Sequence, residues 1–135
     1  MASVFTQVRT KELPGDILYE DDLVFAILSI APHSPGHLLV IPVEEYTDLI
    51  DTPVETRAHL MAVTYGLMEV IRAIYAPPRV AMVAAGLEVD HTHLHVFSLF
   101  KNEELDHDAI LDMSTEERHT EAVRIIDYLK EHPIS

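Results

Sequence analysis

The sequence predicts an α+β fold built on an antiparallel sheet. Short apolar runs of about four to eight residues, separated by turn residues, crowd its first third. A long helical pattern follows, then two more strand-like runs, then a final helix. Helices thus segregate from strands instead of alternating with them, which argues against a doubly wound parallel sheet.

Each element has a local reason. Residues 3–12 place Phe5 and Val8 at helical spacing before Pro14-Gly15 breaks the pattern, predicting one or two turns over an edge of the core. Residues 17–20 and 23–30 are apolar strand-like runs around Asp21-Asp22, a pair suited to a tight hairpin turn. Ala31-Pro32-His33-Ser34-Pro35-Gly36 is a loop punctuated by two prolines and a glycine. Residues 37–41 form a strand ended by Pro42, and a run such as Leu38-Leu39-Val40-Ile41 belongs in the middle of a sheet. A short helical piece covers 46–50. Thr52-Pro53-Val54-Glu55 then reads as a capping box with proline at the first helical position. Leu60, Val63, Leu67, Val70, Ile71 and Ile74 follow at helical period and Pro77-Pro78 stops them, so a helix of about 24 residues should cover one sheet face. Residues 80–84 form a strand, Gly86 permits a turn, and the last strand runs from the histidine row to about Phe100. Residues 101–112 are acidic and irregular. Ser114-Thr115-Glu116-Glu117 is a second capping box, and Ala122, Val123, Ile126 and Leu129 form the apolar stripe of a C-terminal helix ending before Pro133. Residues 1–135 are read as one domain, with 101–135 an extension packing on it.

Composition narrows the function. The 135 residues, 48% of them hydrophobic, suffice for one core, whereas two domains would each be marginal. The absence of cysteine excludes a disulfide framework, a thiolate nucleophile and a cysteine zinc site. Nine Lys and Arg against 23 Asp and Glu give a net charge of −14, which repels DNA and RNA phosphates, so no nucleic-acid partner is expected. A small nucleotide in a local pocket stays possible. The apolar runs are far shorter than a membrane span and the first residues lack the pattern of a secretory signal, so a cytoplasmic protein without a membrane partner is expected.

The chemistry concentrates in His91-Thr92-His93-Leu94-His95. On a strand, side chains alternate, so the three imidazoles share one face roughly 6.5–7 Å apart, able to accept, donate and shuttle protons near neutral pH. On a helix they would scatter. The neighbours Val89, Val96 and Phe97 favour the strand.

The run His91-Thr92-His93-Leu94-His95-Val96-Phe97, with Ser34-Pro35-Gly36-His37-Leu38-Leu39-Val40-Ile41-Pro42 upstream, resembles the histidine-triad (HIT) superfamily. Leu18-Tyr19-Glu20-Asp21-Asp22 and Phe25-Ala26-Ile27-Leu28-Ser29-Ile30-Ala31-Pro32 extend the likeness over residues 3–100. The resemblance implies a five-stranded antiparallel sheet with a long helix across it, a homodimer, and hydrolysis or transfer at the α-phosphate of a nucleotide conjugate such as a nucleoside phosphoramidate or dinucleoside polyphosphate. It makes His93 the nucleophile that becomes nucleotidylated, with its donor nitrogen on the His91 carbonyl. His95 would stand beside the leaving group, His91 would support the geometry, and His37 would face the cluster from the neighbouring strand. Gly86, Leu87, Glu88 and Val89 would form the turn whose amides approach the phosphate. Ile27 and Ile30 would wall the nucleoside.

Four departures accompany the likeness. Ser29 stands where an acidic residue commonly binds the ribose. Glu45 replaces a frequent histidine and, with Ser3 and Thr6 in place of cysteines, implies that no structural zinc is held. Val83-Ala84-Ala85-Gly86 lacks the usual asparagine, and Ser98 replaces a common proline. No cofactor and no catalytic metal is required. Two other readings stay open: a non-catalytic nucleotide-binding module, and a metal hydrolase whose ligands are His91, His93 and His95 with His37 as a further donor. Glu88 is read mainly as a solvated turn residue. His33, His59, His107, His119 and His132 are expected on the surface, as is the acidic run 103–108.

Overall fold

Five strands form one antiparallel sheet in the computed structural model, which describes residues 2–134. They are β1 Ile17–Glu20, β2 Val24–Leu28, β3 Leu38–Pro42, β4 Arg79–Val83 and β5 Leu94–Leu99, in the order β1-β2-β3-β5-β4. The β1–β2 hairpin needs no glycine because Asp21 builds the turn. Its carboxylate accepts the amides of Leu23 and Val24, both at 2.9 Å. The α+β class and the antiparallel sheet are as the sequence predicts.

Side-chain alternation divides the core in two. Leu18, Val24, Ala26, Leu28, Leu38, Val40, Leu94 and Val96 face the helices α2 (Val54–Tyr75) and α3 (Thr115–Glu131). Leu60, Leu67, Ile71, Ala122 and Ile125 meet them there. Phe25, Ile27, Leu39 and Ile41 form the other face, roofed by Phe5 of the short helix α1 (Val4–Arg9). Each such aliphatic side chain contributes about 1.5–3 kcal/mol on burial. The rest of that second face carries His37, His95 and Phe97.

Several boundaries and contacts differ from the sequence reading. The last strand begins at Leu94, not at the first histidine. Residues 91–93 are an irregular lead-in, tied to the preceding loop by the Thr92 amide on the Tyr46 carbonyl (2.6 Å). β3 begins at Leu38 and β2 ends at Leu28. The short helical piece is a 3-10 turn at Leu49–Asp51. Thr52 does not cap α2; its hydroxyl donates to the Leu49 carbonyl at 2.7 Å, so the 3-10 turn takes it and the N-cap is Pro53. The 22-residue α2 ends at Ala76 in the left-handed region (φ 49°), just before Pro77-Pro78. Within the acidic segment Glu104 is buried, accepting the amides of Phe100 and Lys101. α3 has the expected Ser114–Glu117 capping box, but its buried stripe is Glu121, Ala122 and Ile125, with Val123 exposed. Among the described residues no helix is long and apolar enough to cross a membrane.

Candidate active site

The histidines are brought together on the face of the sheet opposite α2, each held by a group whose hydrogen-bonding role is fixed. The His91 ring is fully buried. Its Nε2 lies 2.7 Å from the Pro42 carbonyl, which can only accept, so Nε2 carries the proton. Its Nδ1, 2.6 Å from Ser3 Oγ, therefore accepts from that hydroxyl. Ser3 is the N-cap of α1 and its oxygen also accepts the Thr6 amide. The buried first histidine is thus locked between β3 and the first helix.

His93 is oriented by the same logic. Its Nδ1 is 2.9 Å from the His91 carbonyl and must donate to it, which leaves Nε2 with a free lone pair. Phe5 packs edge-on against this ring at 4.8 Å between centroids. On the other side stands Gly86, with φ at 126°. A Cβ at Gly86 would lie 3.3 Å from His93 Cε1 and 3.5 Å from Nε2, so only glycine keeps the free nitrogen uncovered in this backbone conformation. His93 and Gly86 border a cavity of about 420 Å³, shared with Asp48, Ala84, Leu87 and Val89.

The third histidine belongs to a chain of fixed protons. The His33 amide donates to His37 Nδ1 at 2.9 Å. A backbone amide cannot accept, so the neutral His37 ring carries its proton on Nε2. That nitrogen is 2.9 Å from His95 Nδ1, which must then accept. His95 is left with its proton on Nε2. Both rings stay neutral near pH 7: burial pushes His37 down to about 3 and His95 to about 4, reinforced by the neighbouring imidazoles. His91 is lowered too, mainly by burial. The rings of His93 and His95 lie 4.9 Å apart between centroids, in an edge-to-face arrangement.

Not every expected site residue joins this group. Ile27 is buried beneath Phe5 with Ile41 and Leu39, and Ser29 is buried with its hydroxyl on the Ala31 amide. Neither borders the His93 cavity, and Ile30 stands 78% exposed. Leu87 is in solvent, while Val89 packs half-buried on the Phe5 cluster. Glu88 is exposed, receives the Leu87 amide and sits 3.6 Å from His107 Nε2. Conversely, His33 is not a free surface residue. It is half-buried, stacked on Phe97 (25° between planes) and tilted against His37. Sequence reasoning passes over it, and over Ser3 and Phe5, because their roles depend on contacts made across the sheet. Ser3 as an N-cap residue at the start of the helix that carries Phe5 is a local signal for those two, and none marks His33.

The HIT domain model matches residues 10–102. The chain belongs to the HIT family. A HIT-like protein of Borreliella burgdorferi is 36% identical to it over 107 residues, 74% of this chain and 77% of that one. An AP-4-A phosphorylase of Mycobacterium tuberculosis is 30% identical over 102 residues, 70% of this chain but 52% of the phosphorylase. A zinc-bound histidine triad family protein from Mycobacterium smegmatis superposes with a TM-score of 0.79 at 29% identity, covering 98% of each chain. A HIT-like protein from Bartonella henselae shares the fold (TM-score 0.80, 24% identity, 93% and 94% covered).

The residues of this HIT protein do not fit a zinc ion at the α1 end of the site. Zinc takes Cys, His and carboxylate ligands. Here Ser3 and Thr6 offer hydroxyls, and those hydroxyls are engaged. Thr6 Oγ1 donates to Glu45 at 2.7 Å, the Ser3 amide donates to the same carboxylate, and the Ser3 hydroxyl holds His91. Among the described residues no group of three or more His, Asp or Glu is arranged to hold a metal. Of the triad, His91 has both ring nitrogens engaged, by Ser3 and by the Pro42 carbonyl, and so has no lone pair left for a metal.

Proposed function

We propose that this HIT protein cleaves nucleotide conjugates at the α-phosphate through a nucleotidyl intermediate on His93, with no metal in the reaction. The observation that carries the reading is the fixed pair of protonation states. His93 presents a lone pair at Nε2 and His95 presents an N–H at Nε2, 4.9 Å away between ring centres. An attacking imidazole needs the first, and charge developing on a departing atom needs the second. Bond formation between His93 Nε2 and phosphorus accompanies breakage of the bond to the leaving group. As positive charge grows on the imidazole, the His91 carbonyl that accepts from Nδ1 stabilises it. Water or another acceptor then attacks the same phosphorus and restores His93. A dinucleoside polyphosphate substrate fits the kinship with an AP-4-A phosphorylase.

Incubation with adenosine phosphoramidate and with a dinucleoside polyphosphate should release AMP. Mass spectrometry of an acid-free quench should find the nucleotidyl adduct on His93. His93→Ala should lower turnover by at least about a thousandfold, since it removes the nucleophile outright. Full activity in that variant would sink the assignment. Nucleotide binding without turnover on the whole substrate panel would favour the non-catalytic reading, which Ser29 motivates by standing where an acidic residue commonly binds the ribose.

A further inference from the structure

The loop of residues 32–36 matters because its His33 amide sets the protonation of His37, and through it that of His95. Little inside the loop itself holds it. The His37 amide reaches the Ser34 carbonyl at 3.3 Å, while the Ser34 hydroxyl is buried without a partner. The grip comes from outside the loop: Phe97 lies under the His33 ring, α2 packs on Gly36, and the segment beyond residue 102, where the family match ends, adds two further holds. The Leu111 amide donates to the Pro32 carbonyl at 2.6 Å. At the other end of the loop, Gly36 (φ 80°) packs so tightly on Tyr75 and Ile71 that a Cβ would collide with the Tyr75 ring. The hydroxyl of the Tyr75 ring that Gly36 packs against donates to the buried carboxylate of Glu121 on α3 at 2.7 Å. Arg124 lies over the face of the Tyr75 ring, 5.3 Å from its centroid. A carboxylate taken out of water in this way is retained only where such donors satisfy it.

We infer that Glu121 and the backbone of Leu111 are positioning groups for the leaving-group histidine: they clamp the two ends of the 32–36 loop, so that the His33 amide stays on His37 Nδ1 and His95 keeps its proton on Nε2. This inference rests on the proposed role of His95 for its kinetic consequence, but not for its structural one. If the clamp loosens, His37 can place its proton on Nδ1, and His95 then loses the donor that fixes its own tautomer. Neither Glu121 nor Leu111 touches the reacting atoms.

Nitrogen-15 NMR of histidine-labelled protein reads imidazole tautomers directly and needs no turnover. The full chain should show His37 and His95 as pure Nε2–H tautomers near pH 7. Glu121→Ala, or Glu121→Met if the alanine variant does not fold, removes the acceptor of the Tyr75 hydroxyl and should shift both signals toward averaged tautomers. Leu111→Pro, which removes the amide donor, should do the same. The exposed α3 change Val123→Ala should leave them as they were. With adenosine phosphoramidate, kcat should fall by about tenfold in the clamp variants, a fraction of what a positioned proton donor contributes. KM should change by less than about twofold. Unchanged tautomer signals in the folded clamp variants would overturn the inference. Altered tautomers with a substrate panel that is never turned over would leave the clamp standing and bring down the proposed reaction instead.

Discussion

At the scale of single residues, the site is decided by which nitrogen carries a proton. Four histidines of one composition acquire different duties because each meets a partner that can only donate or only accept. Carbonyls of Pro42 and His91 fix the first two, and the His33 amide fixes the other pair. Gly86 shows the same dependence on one atom. Its φ of 126° is a region that side chains rarely adopt, and an added Cβ would meet His93 at 3.3 Å. Gly86→Ala should therefore lower kcat by about tenfold or more while thermal stability drops by only about 1 kcal/mol, since the residue is exposed and lies outside the sheet. Steady-state kinetics beside a urea melt would check this; an alanine variant with wild-type kcat would remove Gly86 from the site.

At the scale of elements, the short α1 does more than cover an edge. Its N-cap Ser3 holds His91, and its Phe5 roofs Ile27 and packs on His93. A six-residue helix is too short to be stable alone, so these contacts keep it in place as much as it keeps them. Phe5→Ala should cost about 3 kcal/mol in urea denaturation and lower kcat beyond what the lost stability explains, because the His93 ring loses the wall behind it. A folded Phe5→Ala protein with unimpaired kcat would confine α1 to a structural role. The elements themselves are the most legible part of the sequence. Periodicity finds the five strands and three helices, and the Ser114–Glu117 capping box is present as read. The failures are informative. Thr52 carries a cap signature, but the preceding 3-10 turn competes for its hydroxyl. Val123 fits a helical stripe by spacing, but the face that α3 turns to the core buries Glu121, Ala122 and Ile125 and leaves Val123 exposed.

At the scale of the whole molecule, packing buries the His37 and His91 rings and half-buries His95 in a chain of net charge −14. The folded-state affinities of His37, His91 and His95 for protons are all lowered from the ordinary value of 6.5, to about 3 for His37 and about 4 for His95. The unfolded chain therefore binds more protons than the folded one below about pH 6.5, and stability falls as pH drops from there toward 4. Glu121, raised by burial, acts in the opposite direction just above 4.5 but is a single group. His37→Gln should remove one share of this dependence. Relative to the full chain, the variant should gain on the order of 2 kcal/mol between pH 7 and pH 4 in urea denaturation, with the common surface-charge terms cancelling. Parallel stability curves for the two proteins would contradict a buried neutral His37. The sequence by itself determined the α+β class, the antiparallel sheet and the clustering of histidines, because hydrophobic period and turn chemistry are local. Only the tertiary structure decided how the His91, His37 and His95 nitrogens are engaged, that His33 belongs to the cluster, that the Ser29 hydroxyl accepts the Ala31 amide, and that α3 reaches the loop before His37. Some of these bonds join close neighbours, as His93 to the His91 carbonyl or the His33 amide to His37. Others join residues tens of positions apart, as His91 to Pro42 and Ser3 or His37 to His95. In both cases the ring orientation is set only once the sheet has packed around it.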